Sequence, residues 1–391
     1  MSSAKKAIIV GGGIGGLSAA ITLRDVGVEV VVFERARALL EAGACLSLWP
    51  NAIKALSRMG LVGAVQAVGA PMTGGKILSP RGEMLVEQTF SEELERRYGT
   101  LGVGVMRADL QSVLLGALDA GVVRLGARCV GFEQDNAGVV ARFADGREER
   151  ADLLIGADGI NSVIRSQLFG GSKPTYAGYT AWVGVTRFDH DLIRPGVGLL
   201  WWGRGAQFGM VPITNGRVYW FATINVLDEE GDRAIGPKHR VLDHFRGWHG
   251  PIEAVIEATE ASTVLRFPLY DREPLKHWSK GRATLLGDAA HPMSPSLGQG
   301  ACQAIEDAVV LAACLHKEGD IVTALRSYEA RRTKRANEVT EQSRSVGRMI
   351  HWENPLACWL RDALMRRIPL SLHLNGLEWI FRYEAISWGQ N

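Results

Sequence analysis

Continuous apolar runs and helix-spaced apolar positions alternate from the start of the chain. Ala7-Ile8-Ile9-Val10 is an apolar run of strand length stopped at once by glycine, the pattern of a strand buried on both faces of a parallel sheet. Ile14, Leu17, Ser18, Ile21 and Thr22 then place small and apolar residues at helical spacing until Gly27, and Val28 to Phe33 resumes as a second strand. Together they predict a β-α-β unit. Gly60, Gly63 and Gly69-Ala70-Pro71 punctuate the next stretch, and residues 72–100 lose helical periodicity, as if the chain leaves for a second layer. Arg107 to Leu118 reads as a helix again. Strands are expected at Val139 to Phe143 and Leu153 to Ile155, with Ala144-Asp145-Gly146 turning between them.

From Tyr176 to Leu269 the texture changes to short runs (GYTAWVGVTRF, GLLWW, QFGMVP, RVYWFATIN) separated by Gly, Pro and Asn turns, which predicts antiparallel strands. Trp182, Trp201, Trp202 and Trp220 lie in these runs. Period-two alternation puts Tyr219, Phe221 and Thr223 on one strand face and Val218, Trp220 and Ala222 on the other. Arg282 to Leu286 predicts another buried strand, and helices are expected over about 300–315 and 321–351. The order implies an α/β fold: a nucleotide-binding parallel sheet with helices, assembled from separated segments, with a mainly antiparallel sheet domain inserted and helices at the C-terminus. The expected division is 1–71, 101–175 and 275–345 for the first domain, 72–100 and 176–274 for the inserted one, and 346–391 for a helical tail.

Composition narrows the class without choosing within it. Forty-four Lys+Arg against 42 Asp+Glu in 391 residues is close to neutral, so bulk charge implies neither nucleic acid nor an anionic membrane as partner. Five cysteines without a C-x-x-C pair suggest neither a disulfide framework nor a thiolate metal site, and no metal is expected. No apolar run is long enough for a membrane span or a signal-peptide core, so a cytoplasmic protein is expected. Glycine, at 46 residues, points to tight turns or close backbone approach to a ligand.

Those glycines form the first chemical motif. Gly11-Gly12-Gly13-Ile14-Gly15-Gly16 satisfies G-x-G-x-x-G directly after a strand and at the opening of a helix, and Glu34 ends the second strand 23 residues after Gly11. Gly11 permits the tight turn, Gly13 lets backbone approach a pyrophosphate, and Gly16 allows close helix packing. Glu34 can accept hydrogen bonds from an adenosine ribose and would repel a 2′-phosphate, which favours FAD or NAD over NADP at this site. Only one such fingerprint occurs. The far end of the chain carries Gly287-Asp288-Ala289-Ala290-His291-Pro292, then Pro295 and Gly298-Gln299-Gly300-Ala301, where an acid after a strand can bind ribityl hydroxyls and a glycine loop opening a helix can hold an anionic flavin edge.

With these residues in view the chain resembles the class A FAD-dependent aromatic hydroxylases, over roughly residues 5–340. Their pattern has three separated pieces: Gly11 to Gly16 with Glu34, then Asp158-Gly159-Ile160-Asn161-Ser162-Val163-Ile164-Arg165, similar to D-G-x-x-S-x-x-R, then Gly287-Asp288 through Gly300. Ala44 to Ala52 and the Gly298-Gln299-Gly300 loop are most similar to the urate hydroxylase, salicylate hydroxylase and zeaxanthin epoxidase branch. The resemblance implies that Arg35 lies beside adenosine, Ser47 near flavin or pyrophosphate, and Arg107 on the pyrophosphate, with Cys129 giving a backbone contact near adenine. In the urate enzymes an arginine and a tyrosine of the inserted sheet hold the substrate. Here Tyr219 stands at the tyrosine and Gln207 at the arginine, which argues against urate itself.

The implied activity is that of an FAD-dependent monooxygenase. It would use NADH or NADPH and O2 to hydroxylate or epoxidise a small aromatic or otherwise electron-rich substrate through a flavin C4a-hydroperoxide, as a monomer or homodimer. A flavin dehydrogenase or oxidase without oxygen transfer, and a flavin-binding redox sensor, are the alternatives. The Tyr219 face, with Gln207, Met210 and Pro212 nearby, is expected to line the substrate pocket. His291 reads as a structural loop histidine, and Arg331-Arg332-Thr333-Lys334-Arg335 as a solvated helix face. Leu356, Trp359, Leu360, Ala363 and Leu364 share a helix face expected to dock on the body of the protein in preference to a membrane.

Overall fold

The computed structural model describes residues 5–39, 43–89, 91–226, 236–368 and 370–385; of the expected inserted domain and tail, 90, 227–235, 369 and 386–391 lie outside the described residues. Lys6–Val10, wholly apolar after its lysine, sits at the middle of a six-stranded sheet, in parallel register with Glu29–Phe33 on one side and Leu153–Gly156 on the other. Ala283–Leu285 adds in parallel beyond Leu153–Gly156, and Val123–Arg124 beyond Glu29–Phe33. Ser279–Lys280 closes one edge antiparallel. Strands far apart in sequence are therefore hydrogen-bonded neighbours.

The Ile14–Asp25 helix is buried almost all round, because it lies between this sheet and the apolar Gly300–Lys317 helix, against which the long Ile321–Ile350 helix also packs. Their side chains form one continuous core with the sheet.

The second large sheet has seven strands in the order Leu265–Asp271, Thr175–Arg187, Arg217–Asn225, Ala206–Ile213, Val197–Trp202, Gly74–Leu78 and Met84–Thr89. Only the Val197–Trp202 to Gly74–Leu78 pairing is parallel. Within 72–100, the segments Gly74–Leu78 and Met84–Thr89 are strands of this sheet. One face buries Trp182, Trp201, Phe208, Met210 and Trp220 under the Pro237–His244 and Ile252–Glu257 helices. The other packs Val183, Ile213 and Tyr219 against Ala44, Cys45 and Met106 of the nucleotide-binding part.

Three expectations need correction. Residues 72–100 contain a helix, Ser91–Tyr98, hidden from apolar periodicity because charge supports it: Glu92 and Glu93 open it, Arg96 and Arg97 close it, and only Leu94 and Tyr98 are buried. The strand-like stretch 176–274 likewise includes the two short covering helices. The turn at 144–146 leads into Glu148–Ala151, which hairpins back on Val139–Phe143, while Leu153–Gly156 belongs to the large parallel sheet. Asp152 alone separates the two strands, and its carboxylate accepts the Lys6 amide at 2.7 Å.

Candidate functional site

Parallel register sets the carboxyl ends of four strands side by side: Val10 is opposite both Phe33 and Gly156, and Gly156 is opposite Leu285. The segments that leave those strands therefore meet on one edge of the sheet, where ligands of open α/β folds bind. They are the Gly11 turn, Glu34, Asp158 and Gly287-Asp288.

The glycines divide the work. Gly11 has φ +112°, and a Cβ there would stand 2.2 Å from the Ala157 carbonyl oxygen; one on Gly16 would stand 1.9 Å from the Gly11 carbonyl oxygen. These two close the turn. Gly15 is packed against Leu286 and Ala304, so helix packing falls to it as much as to Gly16. Gly13 differs: a Cβ would meet only the Arg107 guanidinium, at 3.9 Å, so its backbone borders open space beside a cation. Glu34 accepts the Gly12 amide at 2.7 Å and the Ala36 amide at 2.9 Å, and Gln111, which sequence reading missed, donates to the Gly12 carbonyl at 2.7 Å. Arg35 is exposed on the loop after Glu34. Cys129 opens a strand that follows directly on Ala127, whose amide bonds to the Glu34 carbonyl.

Asp158 uses one oxygen to accept the Val163 amide at 2.7 Å, while the other is buried without a partner among the described residues; burial pushes the carboxyl above its usual range. Ser162 caps the Val163–Phe169 helix through the Arg165 amide, and Arg165, itself buried, donates to the Ala289 and Ala290 carbonyls. The second motif thereby clamps the back of the third.

Asp288 keeps a solvent-accessible side chain although protein crowds it closely, as a group on a cleft floor does. That crowding pushes its carboxyl up, opposed by the charges of His291 and Arg107. Further along, Gly298 takes the left-handed conformation at φ +61°, with Ser47 Cβ 3.2 Å from where its own Cβ would be. The next residues, Gln299 and Gly300, open the Gly300–Lys317 helix. Pro295 begins the short turn before Gly298, and Ala301 lies in the first turn of that helix. Cys302 at 3.3 Å from the Ser47 carbonyl ties helix and Ser47 together.

Under this loop lies a buried ionic network. Arg332 donates to Asp307 at 2.7 Å and Glu306 at 2.5 Å, Arg335 donates twice to Glu306 at 2.9 Å, and Asn51 donates to Glu306 at 2.7 Å. His291 bonds Asp307 at 2.6 Å, which in turn accepts the Gly287 amide at 3.0 Å. The structural reading of His291 fits this placement. The basic cluster, in contrast, is not simply a solvated face: Arg332 and Arg335 point inward because the acidic pair on the neighbouring helix requires counter-charge. The one-turn spacing of the two arginines opposite Glu306-Asp307 was the available signal.

In the inserted sheet, Tyr219 is buried against the Cys45 backbone, two residues from Ser47, and burial raises its hydroxyl well above the ordinary value. Register places Gln207 opposite Thr223, Gly209 opposite Phe221 and Val211 opposite Tyr219, so Gln207 shares the Tyr219 face. Met210 and Pro212 do not: they pair with Trp220 and Val218 on the helix-covered face, correcting their expected proximity to the pocket. Sequence reading also missed His351, brought in by the end of the Ile321–Ile350 helix. It stacks on Tyr179 at 3.9 Å and bonds Thr223 at 2.9 Å, and burial lowers its pKa to about 4.

A family model described as an FAD binding domain matches residues 4–343. The chain is 43% identical over 366 residues to an aurachin C monooxygenase/isomerase of Stigmatella aurantiaca, covering 94% of this chain and 95% of that protein. It is 36% identical to a 3-amino-4-hydroxybenzoate 2-monooxygenase of Streptomyces platensis, covering 97% and 96%. Its structure is similar to the crystal structure of Klebsiella pneumoniae HpxO complexed with FAD and uric acid, with TM-score 0.91, 31% identity and 97% of each chain covered.

Proposed function

The chain belongs to the class A FAD-dependent aromatic hydroxylases, and from that membership we propose how its own residues serve the reaction. It is an FAD-dependent monooxygenase that acts with O2. The donor set suits FAD: open backbone at Gly13, a cation at Arg107, carboxylates at Glu34 and Asp288, and a helix N-terminus at Gly300 lie along one edge. Glu34 and the Cys129 backbone, with Arg35 outside them, would hold the adenosine end. Gly11 to Gly16 and Arg107 would hold the pyrophosphate, Asp288 the ribityl chain, and Ser47 with Pro295, Gly298, Gly300 and Ala301 the ring. Asp158 would brace that site while Arg165 clamps the loop behind it. When bound, the flavin supplies two-electron redox chemistry and the activation of O2. NADH or NADPH is the proposed transient electron donor.

The protein's share is to position the acceptor and exclude water. The observation that carries the substrate reading is the Tyr219 face of the inserted sheet, closed over Cys45 and Met106 beside the Ser47 segment. Its polar groups, Gln207, Thr223 and Tyr219, are uncharged, and His351 behind Thr223 stays neutral above about pH 4. A small aromatic ring recognised by hydrogen bonds suits such a face better than an anion that needs an arginine, since a charge-assisted contact contributes about 1.5–3 kcal/mol.

Isotopic labelling with oxygen-18 gas, on an aromatic compound selected by its stimulation of NAD(P)H oxidation, should put label into the product. Unlabelled product would make the protein a dehydrogenase or oxidase. The Tyr219→Phe variant should weaken that stimulation while FAD content is kept, and unchanged stimulation would remove Tyr219 from the site.

A further inference from the structure

We propose that the outward face of the Pro355–Met365 helix is a docking face for an anionic phospholipid surface. Leu356, Trp359, Leu360 and Leu364 are 71%, 65%, 50% and 51% exposed, and Ile368, just past the end of the helix, is 39% exposed. The spacing i, i+3, i+4, i+8 is that of one helix face. This face was expected to dock on the body of the protein, but the opposite face does so. Cys358 and Arg361 are buried there, and Arg361 donates to the Ile350 carbonyl at 3.0 Å and the Gly203 carbonyl at 3.2 Å. Asn354 caps the helix through the Leu356 and Ala357 amides. Rolling the stripe inward would mean exposing that cysteine and pulling the guanidinium from its carbonyls. The stripe is therefore held toward solvent.

The size and charge of the stripe choose its occupant. From Leu356 to Leu364 the helix rises about 12 Å, so a face about 10 Å wide offers on the order of 120 Å², far below the about 800 Å² per partner of a stable protein interface. Interfacial seating on lipid needs only one amphipathic helix. Beside the helix Arg81, Arg204 and Arg367 are exposed, with Arg366 paired with Glu83, and Glu353 the other exposed acid. Asp362 is paired with Arg361. The net positive rim would face itself across a two-fold contact and faces phosphate on a lipid surface. Trp352 just before the helix is a second exposed indole, at 42%. Among the described residues no helix is long and apolar enough to cross a membrane, so the contact is peripheral.

The test is co-sedimentation of the FAD-loaded protein with phosphatidylcholine vesicles made with and without phosphatidylglycerol. The protein should pellet with the phosphatidylglycerol vesicles, and added salt should weaken that binding. The Trp359→Glu/Leu360→Glu double variant should lose at least about tenfold in partitioning while retaining its FAD. Should that variant fold poorly, Leu356→Gln/Leu364→Gln serves the same purpose with a smaller perturbation. Protein that stays in the supernatant with every vesicle, or variants that pellet as well as the parent, overturn the proposal. So does light scattering that finds a parent dimer which the variants convert to monomer, since a second copy would then be the occupant.

Discussion

Gly13 and Gly16 stand close together at the start of the same helix, yet substitutions at them should fail for different reasons. A side chain at Gly16 collides with the Gly11 carbonyl, so Gly16→Ala should cost folding stability, about 2 kcal/mol or more. A side chain at Gly13 meets open space, so Gly13→Val should leave the melting temperature of the FAD-free protein nearly unchanged and abolish FAD retention on gel filtration. His351 carries a pH dependence at the same scale. Burial lowers its pKa to about 4, so as pH falls below about 6.5 the unfolded chain takes the proton first. The stability due to neutral His351 is whole above that pH and is lost progressively down to about pH 4, a change of about 3 kcal/mol. Denaturant titrations over this range should show a smaller fall for His351→Gln than for the parent protein.

Between elements, the Gly300–Lys317 and Ile321–Ile350 helices are joined by charge that no solvent screens. Asp307 resists burial, which alone would raise its pKa, because His291 and Arg332 pull it down to about 2. A depressed carboxyl stabilises the fold above its unfolded pKa, near 4, and that stability is lost as pH falls toward 2. Arg332→Met removes the cation that both Glu306 and Asp307 use, leaving two buried carboxylates with too few partners. A loss of about 3–5 kcal/mol is expected, read from urea midpoints at neutral pH, together with looser FAD because the Gly287 amide and His291 both bond to Asp307. A loss below about 1 kcal/mol would mean that the helices hold together without the network.

At the scale of the molecule, the proposed FAD site is the seam where distant segments meet. A ligand held by the turn after Val10, the acid after Phe33 and the loop after Leu285 adds to the strand register, the Glu34 to Gly12 hydrogen bond and the packing of Gly15 on Leu286 that already join these pieces of chain. FAD should therefore act as a structural clamp. At about a thousand times its dissociation constant it should stabilise the fold by about 4 kcal/mol, so the melting temperature should climb with added FAD. A melting temperature indifferent to FAD would contradict the site.

The amino-acid sequence by itself determined the local grammar: the strand, glycine turn and helix at 6–25, the acid at 34, the three separated motifs and the aromatic strands. Each is written in neighbouring residues, where propensity, alternation and turn chemistry act. What it could not display was pairing across the chain. Only register put Val10, Gly156 and Leu285 abreast, showed that Met210 turns away from Tyr219, and drew Arg332 and Arg335 inward toward two acids on another helix. Likewise, helical spacing gave the Leu356 stripe its shape, but whether it met the body depended on where Arg361 found buried carbonyls. Burial and counter-charge are properties of the folded neighbourhood, and a residue acquires them only once remote segments have closed around it.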